Sequence, residues 1–328
     1  LLRDTRRPSS VRALALRLVD PADRALDRPL LERLLESRDG HLEGEVVRTL
    51  GLSSHRFAAE LLVGVVEDSR RPRSLRADAV AGLGNAATSA RTRGVLLRMF
   101  SGSDPLLMRE ALRSLQPAVA GDPAVRAAVL GLAEPLKKIE SPAAADRDVA
   151  DRLVLALTTA RQPVPGYLRR VATPRPATVA AWVASLAKGG DVAAGRRLFF
   201  HRSGPACGRC HTVNGRGRRV GPDLSVIARS RNRRQLLESI LEPSREVAPQ
   251  LVTWSLVTTA GRVINGVIVY ENRDKLTIED VEGKQTELAN TDVELRTSQK
   301  KSLMPEKLIE QMSVEEVRDL LAYLGSLR

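Results

Sequence analysis

Cysteine, histidine, methionine and aromatic residues are all scarce in this sequence. The 328 residues include two cysteines, four histidines and four methionines, and aromatic residues make up 3% of the chain. So few aromatic side chains leave little to stack on nucleic-acid bases, although the net charge is +13. No run of about eighteen apolar residues occurs, so the sequence predicts no transmembrane helix. The start has neither an initiator Met nor a secretory leader, and we expect it to be the cut edge of a longer chain.

The positive charge comes almost entirely from arginine, since lysine supplies only eight of the 52 basic residues. Across the first 190 residues the arginines are scattered on the polar side of helical patterns, which does not favour a nucleic-acid surface. Residues 191–249 hold twelve arginines and five acidic residues, a net charge of +7. Residues 250–298 hold five basic and eight acidic residues, a net charge of −3. The stretch with both cysteines is therefore the basic part of its half of the chain.

A helical pattern recurs along the first ~160 residues. The segments VVRTL, AVAGL and ALRSL end at Leu50, Leu83 and Leu115, at spacings of 33 and 32 residues, and a second helical pattern follows each. Paired helices at this period predict an α-solenoid over residues 1–160, with an irregular helical bundle as the alternative. SLRADAVAGLGN (74–85) resembles a HEAT-repeat helix.

The second half of the chain changes its periodicity twice. Four prolines in 161–176 predict a linker, and a short helix follows up to residue 190. Helical patterns resume at residue 191, and at about residue 250 the period switches from 3.6 to 2. Five short strands then predict a small antiparallel meander or barrel over about 250–297. The last segment returns to helix, with a capping box at Ser313 and Glu316.

The two cysteines stand in SGPACGRCHTVNGRGRRVGPDL, with His211 directly after Cys210. A thioredoxin-like dithiol would follow a strand, whereas the segment before this one is helical. A zinc site needs four ligands, for which His201 could be recruited, but the side chains of Cys210 and His211 diverge. The third reading is covalent haem attachment, for which C-x-x-C-H is the signature. Two thiols on one helical turn can each add to one vinyl group, which places the next imidazole beneath the ring.

GRRLFF, CGRCH and GPDL in this order resemble a class I cytochrome c domain. The resemblance implies one covalently attached haem c. It places Cys207, Cys210, Gly221, Pro222 and Leu224 at the cofactor, with His211 on the iron. The Pro222 carbonyl would accept a hydrogen bond from the His211 imidazole and fix its orientation. The family pattern also implies that Gly195 and Phe199 pack on the C-terminal helix, with Tyr323 as the partner.

The sixth iron ligand implied by the resemblance is Met304, which Pro305 follows. Met304 lies 93 residues after His211 (304 − 211), far beyond the usual spacing of this class. The meander accounts for the excess, because it can be read as a domain inserted between the two axial ligands. Met312 is the alternative ligand and is otherwise a packing residue.

Residues from about 180 to 328 resemble, more narrowly, the planctomycete/verrucomicrobial type of haem-binding domain. The expected fold is therefore mainly α, a HEAT-like solenoid followed by a cytochrome c domain (191–328) with an inserted antiparallel meander. In that family the domain often follows HEAT-like repeats and a β-propeller that resembles sugar or alcohol dehydrogenases.

The resemblance implies an electron-transfer protein that is not an enzyme by itself. Its partners would be a redox protein or an upstream dehydrogenase domain, together with the haem attachment machinery, and no nucleic acid. Haem is attached outside the bacterial cytoplasm, which implies a periplasmic or other extracytoplasmic location. Two alternatives stay open: a haem sensor or haem enzyme with a displaceable Met304, and a HEAT scaffold in which the haem is structural.

Overall fold

A computed structural model describes residues 1–87 and 89–328 of the chain. Within this described part lie fourteen α-helices and seven β-strands, so the protein is mainly α with a small antiparallel sheet. None of the described helices combines the length and apolar character that a membrane crossing requires. The chain divides into two compact units, Leu1–Pro174 with His201–Gly204, and Arg175–Phe200 with Pro205–Arg328.

The first unit is built from ten helices within the described residues. They are α1 (Ser9–Leu18), α2 (Arg28–Glu36), α3 (Gly40–Leu52), α4 (Ala58–Glu67), α5 (Arg73–Leu83), α6 (Ala90–Arg98), α7 (Pro105–Leu115), α8 (Pro123–Ala133), α9 (Ala144–Thr159) and α10 (Gly166–Val171). Helix α10 lies in the segment that the sequence predicted as a linker. Odd-numbered helices pack on one another in series, α1 on α3, α3 on α5, α5 on α7 and α7 on α9. The recurring leucines Leu50, Leu83 and Leu115 lie at or near the C-terminal ends of α3, α5 and α7. They are 2%, 0% and 0% exposed.

Several helices of the first unit begin at an aspartate that caps their free amide groups. The Asp104 carboxylate accepts hydrogen bonds from the amides of Leu106 and Leu107. Asp122 does the same at the start of α8. A proline follows each of these aspartates at the first helical position, where its missing N–H costs nothing. The Asp-Pro pairs therefore set two of the helix starts locally.

Seven of the ion pairs in the first unit join residues that are 28 to 32 positions apart, close to the length of the sequence repeat. Each connects one helix pair to the next. They are Arg17–Glu45, Arg28–Glu60, Arg38–Asp68, Glu43–Arg71, Glu67–Arg98, Arg73–Asp104 and Arg93–Asp122. The arginine content of this unit thus serves contacts between successive helix pairs.

The second unit holds four helices in its described residues: α11 (Val179–Ser185), α12 (Val192–Phe200), α13 (Arg233–Leu241) and α14 (Val314–Ser326). Helices α12 and α14 pack closely on each other, and α13 contacts both α11 and α14. They enclose an apolar cluster that includes Phe199, Met312 and Leu321, each 1% exposed or less. This cluster forms the floor on which the CGRCH segment lies.

The inserted sheet (residues 253–298) forms a separate layer within the second unit. Its strands are β3 (Thr253–Thr258), β4 (Val263–Glu271), β5 (Lys275–Glu279), β6 (Gln285–Ala289) and β7 (Val293–Ser298), and all neighbours are antiparallel. The predicted five strands are confirmed. The last strand departs from a simple meander, because β7 pairs with β3 and the order is β6-β5-β4-β3-β7. This pairing brings the N-terminal and C-terminal ends of the inserted segment together.

Candidate haem site

A single helical turn carries both cysteines and leads directly into His211. Ala206 enters the turn with a positive φ of 47°. The amides of Cys210 and His211 both donate to the Cys207 carbonyl, at 3.1 and 2.9 Å. Strands β1 (Thr212–Val213) and β2 (Arg216–Gly217) then form a tight hairpin that the sequence did not predict. The C-x-x-C-H segment therefore has a fixed backbone geometry.

The His211 imidazole is oriented by the Pro222 carbonyl, which lies 2.9 Å from Nδ1. Nδ1 donates its proton there, which leaves the lone pair of Nε2 as the ligating one. Burial lowers the pKa of His211, partly offset by the same hydrogen bond. The ring is therefore neutral near pH 7, as a metal-bound imidazole must be.

Gly221 lies directly against the imidazole of His211. A Cβ at this position would come within 2.7 Å of Cε1 and 2.9 Å of Nδ1 of the ring. Only glycine leaves the ring in its present place, since such distances are far below van der Waals contact. The sequence therefore needs glycine at 221 for a steric reason, next to the proline that holds the ring.

The Gly-Pro loop (residues 217–224) is tied to the C-x-x-C-H segment by backbone hydrogen bonds. The amide of Gly221 donates to Cys210, and that of Leu224 donates to Thr212, both at 2.8 Å. The hydroxyl of Thr212 donates to the Arg218 carbonyl at 2.9 Å. This loop and the cysteine turn form one rigid piece.

Cys207 and Cys210 are both free, half-buried thiols, and Cys207 packs on the apolar cluster. Burial raises the pKa of Cys207 to about 12. The pKa of Cys210 is also raised by burial, while Arg209 and Arg218 act in the opposite direction. Both side chains are thus protonated thiols at neutral pH, the reduced form from which thioether bonds to vinyl groups are made.

The packing of α12 on α14 follows the sequence expectation for Gly195, Phe199 and Tyr323, which is confirmed. A Cβ at Gly195 would overlap the Asp319 carbonyl oxygen, so the two helices meet at backbone distance. The rings of Phe199 and Tyr323 pack edge to face, with centroids 5.6 Å apart. Asp319 also accepts a hydrogen bond from the amide of Asp191 at 2.7 Å, which joins the start of α12 to α14.

Met304 lies in the loop that connects β7 to the C-terminal segment (residues 299–307), which we call the Met304 loop. It is half-buried and packs on the same apolar cluster as Cys207 and Leu224. Met312 is 0% exposed within the core of that cluster, which is the environment of a packing residue. The structure therefore places Met304, Cys207 and Leu224 around one apolar surface.

These residues fit a covalently bound haem on two structural grounds. The donors are a neutral, oriented imidazole and a thioether, the pair that binds haem iron in cytochromes c. Two thiols lie one helical turn apart, as attachment to two adjacent vinyl groups requires, and Cys207 packs on the apolar cluster. The residues that the sequence assigned to the cofactor, including Gly221 and Pro222, are thus neighbours of His211 in the fold.

The competing readings of the cysteines depend on other parts of the structure. Among the described residues no group of three or more His, Cys, Asp or Glu side chains has the arrangement of a metal site. His201, the candidate fourth zinc ligand, belongs to the first unit, where its Nε2 lies 3.1 Å from the Ser114 hydroxyl. The helix α12 precedes the cysteines, rather than the strand that a thioredoxin-like dithiol would follow.

The arginines near the C-x-x-C-H segment divide into two groups. Three are exposed and form no ion pair with a carboxylate of the described residues, although the charge of Arg219 helps to lower the pKa of Asp223: Arg209, Arg218 and Arg219. The other four are engaged or buried. Arg231 and Arg234 pair with Glu246 and Glu238, Arg233 donates to the carbonyls of Leu186 and Arg318, and Arg216 is 7% exposed.

One residue that supports the site was missed from the sequence. The Arg175 guanidinium donates to the carbonyls of Met312 and Ile309, both at 2.7 Å, and lies over the Trp182 ring at 5.3 Å. It thereby holds the segment that leads into α14. The partners are more than 130 positions away in sequence, so no local pattern could have indicated this role.

No protein-family model matches the chain, and a search of curated proteins finds none that resembles it significantly.

Proposed function

We propose that this protein carries electrons on a single covalently attached haem c. In this proposal the second unit is a cytochrome c-type domain with an inserted sheet, and the first unit is a HEAT-like solenoid that acts as a scaffold. One observation carries the proposal: a neutral imidazole, oriented by Pro222, follows two half-buried thiols beside an apolar cluster that Cys207 and Met304 both contact.

The residues of the chain divide the work around the cofactor. Cys207 and Cys210 would hold the haem by thioether bonds, and Leu224 would pack beside it. Pro222 and Gly221 keep the His211 ring in place, and the apolar cluster excludes water from that side. The haem supplies one-electron chemistry when bound. Met304 as a second axial ligand would leave no open iron position for oxygen or peroxide, which favours a carrier over a haem enzyme.

The partner in this proposal is an acidic redox protein or an upstream dehydrogenase domain of the sugar or alcohol type. The observation behind it is the exposed basic set of Arg209, Arg218 and Arg219, which adjoins the cysteine turn. Long-range attraction between such a set and an acidic surface accelerates encounter. Covalent haem attachment also leads us to propose an extracytoplasmic location and a transient contact with the attachment machinery.

Haem retention tests the proposal. We expect the denatured wild-type protein to keep its haem through acid–organic extraction, and the Cys207→Ala/Cys210→Ala variant to lose it. Haem that extracts freely from the wild type would contradict covalent attachment, and stoichiometric zinc in its place would favour the zinc reading.

Ligand exchange tests the distal residue. We expect Met304→Leu to remove the sulfur-to-iron charge-transfer band, to lower the reduction potential and to speed cyanide binding. Met312→Leu is the matched control, because it keeps the volume of a buried methionine and should leave the band intact. A wild-type spectrum of five-coordinate haem would instead support the sensor or enzyme alternative.

A further inference from the structure

The Met304 loop is anchored mainly at the base of the inserted sheet. The amide of Gln299 donates to the Thr253 carbonyl at 2.7 Å, where the first and last strands of the sheet meet. The amide of Ser302 donates to the Ser244 hydroxyl at 3.2 Å. The Ser302 hydroxyl in turn accepts a hydrogen bond from the amide of Met304 at 3.1 Å. The Ser302 hydroxyl therefore ties the Met304 backbone close to the point where Thr253 and Gln299 meet, which we call the neck of the sheet.

The same end of the sheet touches the Gly-Pro loop through its opposite edge, because Thr253, Val267 and Glu279 lie in one row across β3, β4 and β5. The turn between β5 and β6 presents the Glu282 carbonyl to the Arg218 guanidinium, at 2.8 Å. Gly283, with a φ of +78°, lies beside the Val220 side chain, since a Cβ there would be 3.3 Å from Val220 Cγ2. Val220 directly precedes Gly221 and Pro222, which hold His211. One sheet thus contacts the loop that carries Met304 and the loop that holds the His211 ring in place.

We propose that the inserted sheet is a strut that positions Met304 relative to His211. Ser302 and Ser244 are the positioning residues beside its neck, and Arg218 is the positioning residue at the β5–β6 turn, which we call its tip. This inference rests on the proposed function, because it concerns the distal ligand of the haem.

The physical reason lies in the length of the excursion between the ligands. Ser244 and Ser302 are 58 positions apart (302 − 244), and closing so long a flexible loop costs conformational entropy in the folded state. The antiparallel sheet offsets that cost, because the pairing of β3 with β7 holds the two ends of the inserted segment together through backbone hydrogen bonds. The Met304 loop then needs to be ordered only over its few residues after Gln299.

The neck is tested on the haem-loaded protein with Ser302→Ala. Losing the acceptor of the Met304 amide should free the loop, so that cyanide binds ferric haem roughly fivefold faster, the factor that one net hydrogen bond represents. The sulfur-to-iron band should weaken in parallel. Ser302→Thr keeps the hydroxyl and should restore wild-type values. Ser298→Ala, at an exposed position four residues earlier, is the matched control.

The tip is tested with Arg218→Ala against Arg219→Ala, its exposed neighbour. Arg218→Ala should shift cyanide binding and the band in the same direction as Ser302→Ala and by a smaller factor, whereas Arg219→Ala should not. Arg218→Lys, which can still donate to the Glu282 carbonyl, should behave like the wild type.

The strut is overturned if the sulfur band is present in the wild type, vanishes in Met304→Leu, and is unchanged in both Ser302→Ala and Arg218→Ala. In that outcome the proposed electron-transfer function stands. If haem is bound but Met304→Leu alters nothing, the distal ligand assignment fails first, and the strut fails with it. The Met304→Leu measurement therefore separates the two failures.

Discussion

The same residue, arginine, does different work in the two units of this protein. In the first unit, arginines pair with carboxylates about one repeat away, as in Arg28–Glu60 and Arg38–Asp68. Beside the C-x-x-C-H segment in the second unit, Arg209 and Arg219 are exposed without such a partner, and Arg233 donates to main-chain carbonyls. The same type of residue thus forms cross-links between helix pairs in the first unit and an exposed positive surface beside the C-x-x-C-H segment in the second.

The comparison teaches that net charge alone does not identify a binding surface. The chain carries +13 overall, yet much of the basic content of the first unit is neutralised by residues of neighbouring helices. What matters for a partner is the charge left exposed after folding. In the proposed function the first unit is the scaffold, and the second is the part that meets charged partners.

The largest effect is expected from the most buried of the ion pairs between helix pairs. Arg71 and Glu43 have side chains only 9% and 5% exposed, so Arg71→Ala would leave a buried carboxylate alone. We expect the free energy of unfolding of the first unit to fall by about 3 kcal/mol. Arg73→Ala, whose pair with Asp104 is largely exposed, should lower it far less. Denaturant titration followed by circular dichroism measures both, and equal losses would refute a graded role for burial.

A second prediction concerns the helix crossing of the second unit. Gly195→Ala would push a Cβ into the Asp319 carbonyl and the Tyr323 side chain, at a cost of about 1–3 kcal/mol. The control is Gly131→Ala in α8 of the first unit, where a Cβ meets no atom within 4 Å. That change should be neutral or stabilising by up to about 1 kcal/mol, because alanine favours helix over glycine.

The fluorescence of Trp182 and Trp254 makes the Gly195 measurement specific, because both tryptophans lie in the second unit. A Gly195→Ala protein as stable as the wild type by this signal would show that the close helix crossing relaxes freely.

The third prediction tests the exposed arginines directly. Charge reversal at Arg209 and Arg219, which leaves the Arg218 contact with the sheet intact, should slow electron transfer with an acidic partner roughly tenfold at low salt and flatten its dependence on ionic strength. The control reverses Arg231 and Arg234, which pair with carboxylates, and changes the net charge by the same amount. Equal slowing by both double variants would indicate that only the net charge acts.

The smallest effect is expected at Asp151, a carboxylate of the first unit that bonds to a backbone amide rather than to a neighbouring repeat. It accepts from the Thr173 amide at 2.7 Å, and burial raises its pKa above the usual 3.8. The folded state therefore keeps a proton that the unfolded state loses just above pH 3.8, so stability falls as pH rises through this window.

Asp151→Asn keeps the acceptor and removes the titration. We expect the variant to gain about 1 kcal/mol or less over the wild type between pH 4 and 7, with the gain growing as pH rises. Unfolding curves at several pH values measure it. A difference that shrinks as pH rises would mean that the Asp151 carboxylate is stabilised in the folded state.

Much of the site could be predicted from the sequence because its parts are short and local. The C-x-x-C-H turn, the Gly221-Pro222 pair and the alternation of the five strands each depend on residues within a few positions of one another. Gly195 with Phe199 could likewise be placed against Tyr323, since the close approach of two helices demands glycine. The two-residue hairpin after His211 escaped notice because so short a pairing leaves no periodic pattern.

The sequence by itself determined most of the helical and extended segments and which residues are proposed to hold a cofactor, because backbone propensity, periodicity and short motifs are local properties. Tertiary structure alone decided that β7 returns to β3, that Arg175 supports the approach to α14, and that Ser244 and Ser302 tether the Met304 loop. It also decided which arginines remain exposed. These choices join residues tens to more than a hundred positions apart, and they depend on how packed elements compete for partners, which no stretch of the sequence records.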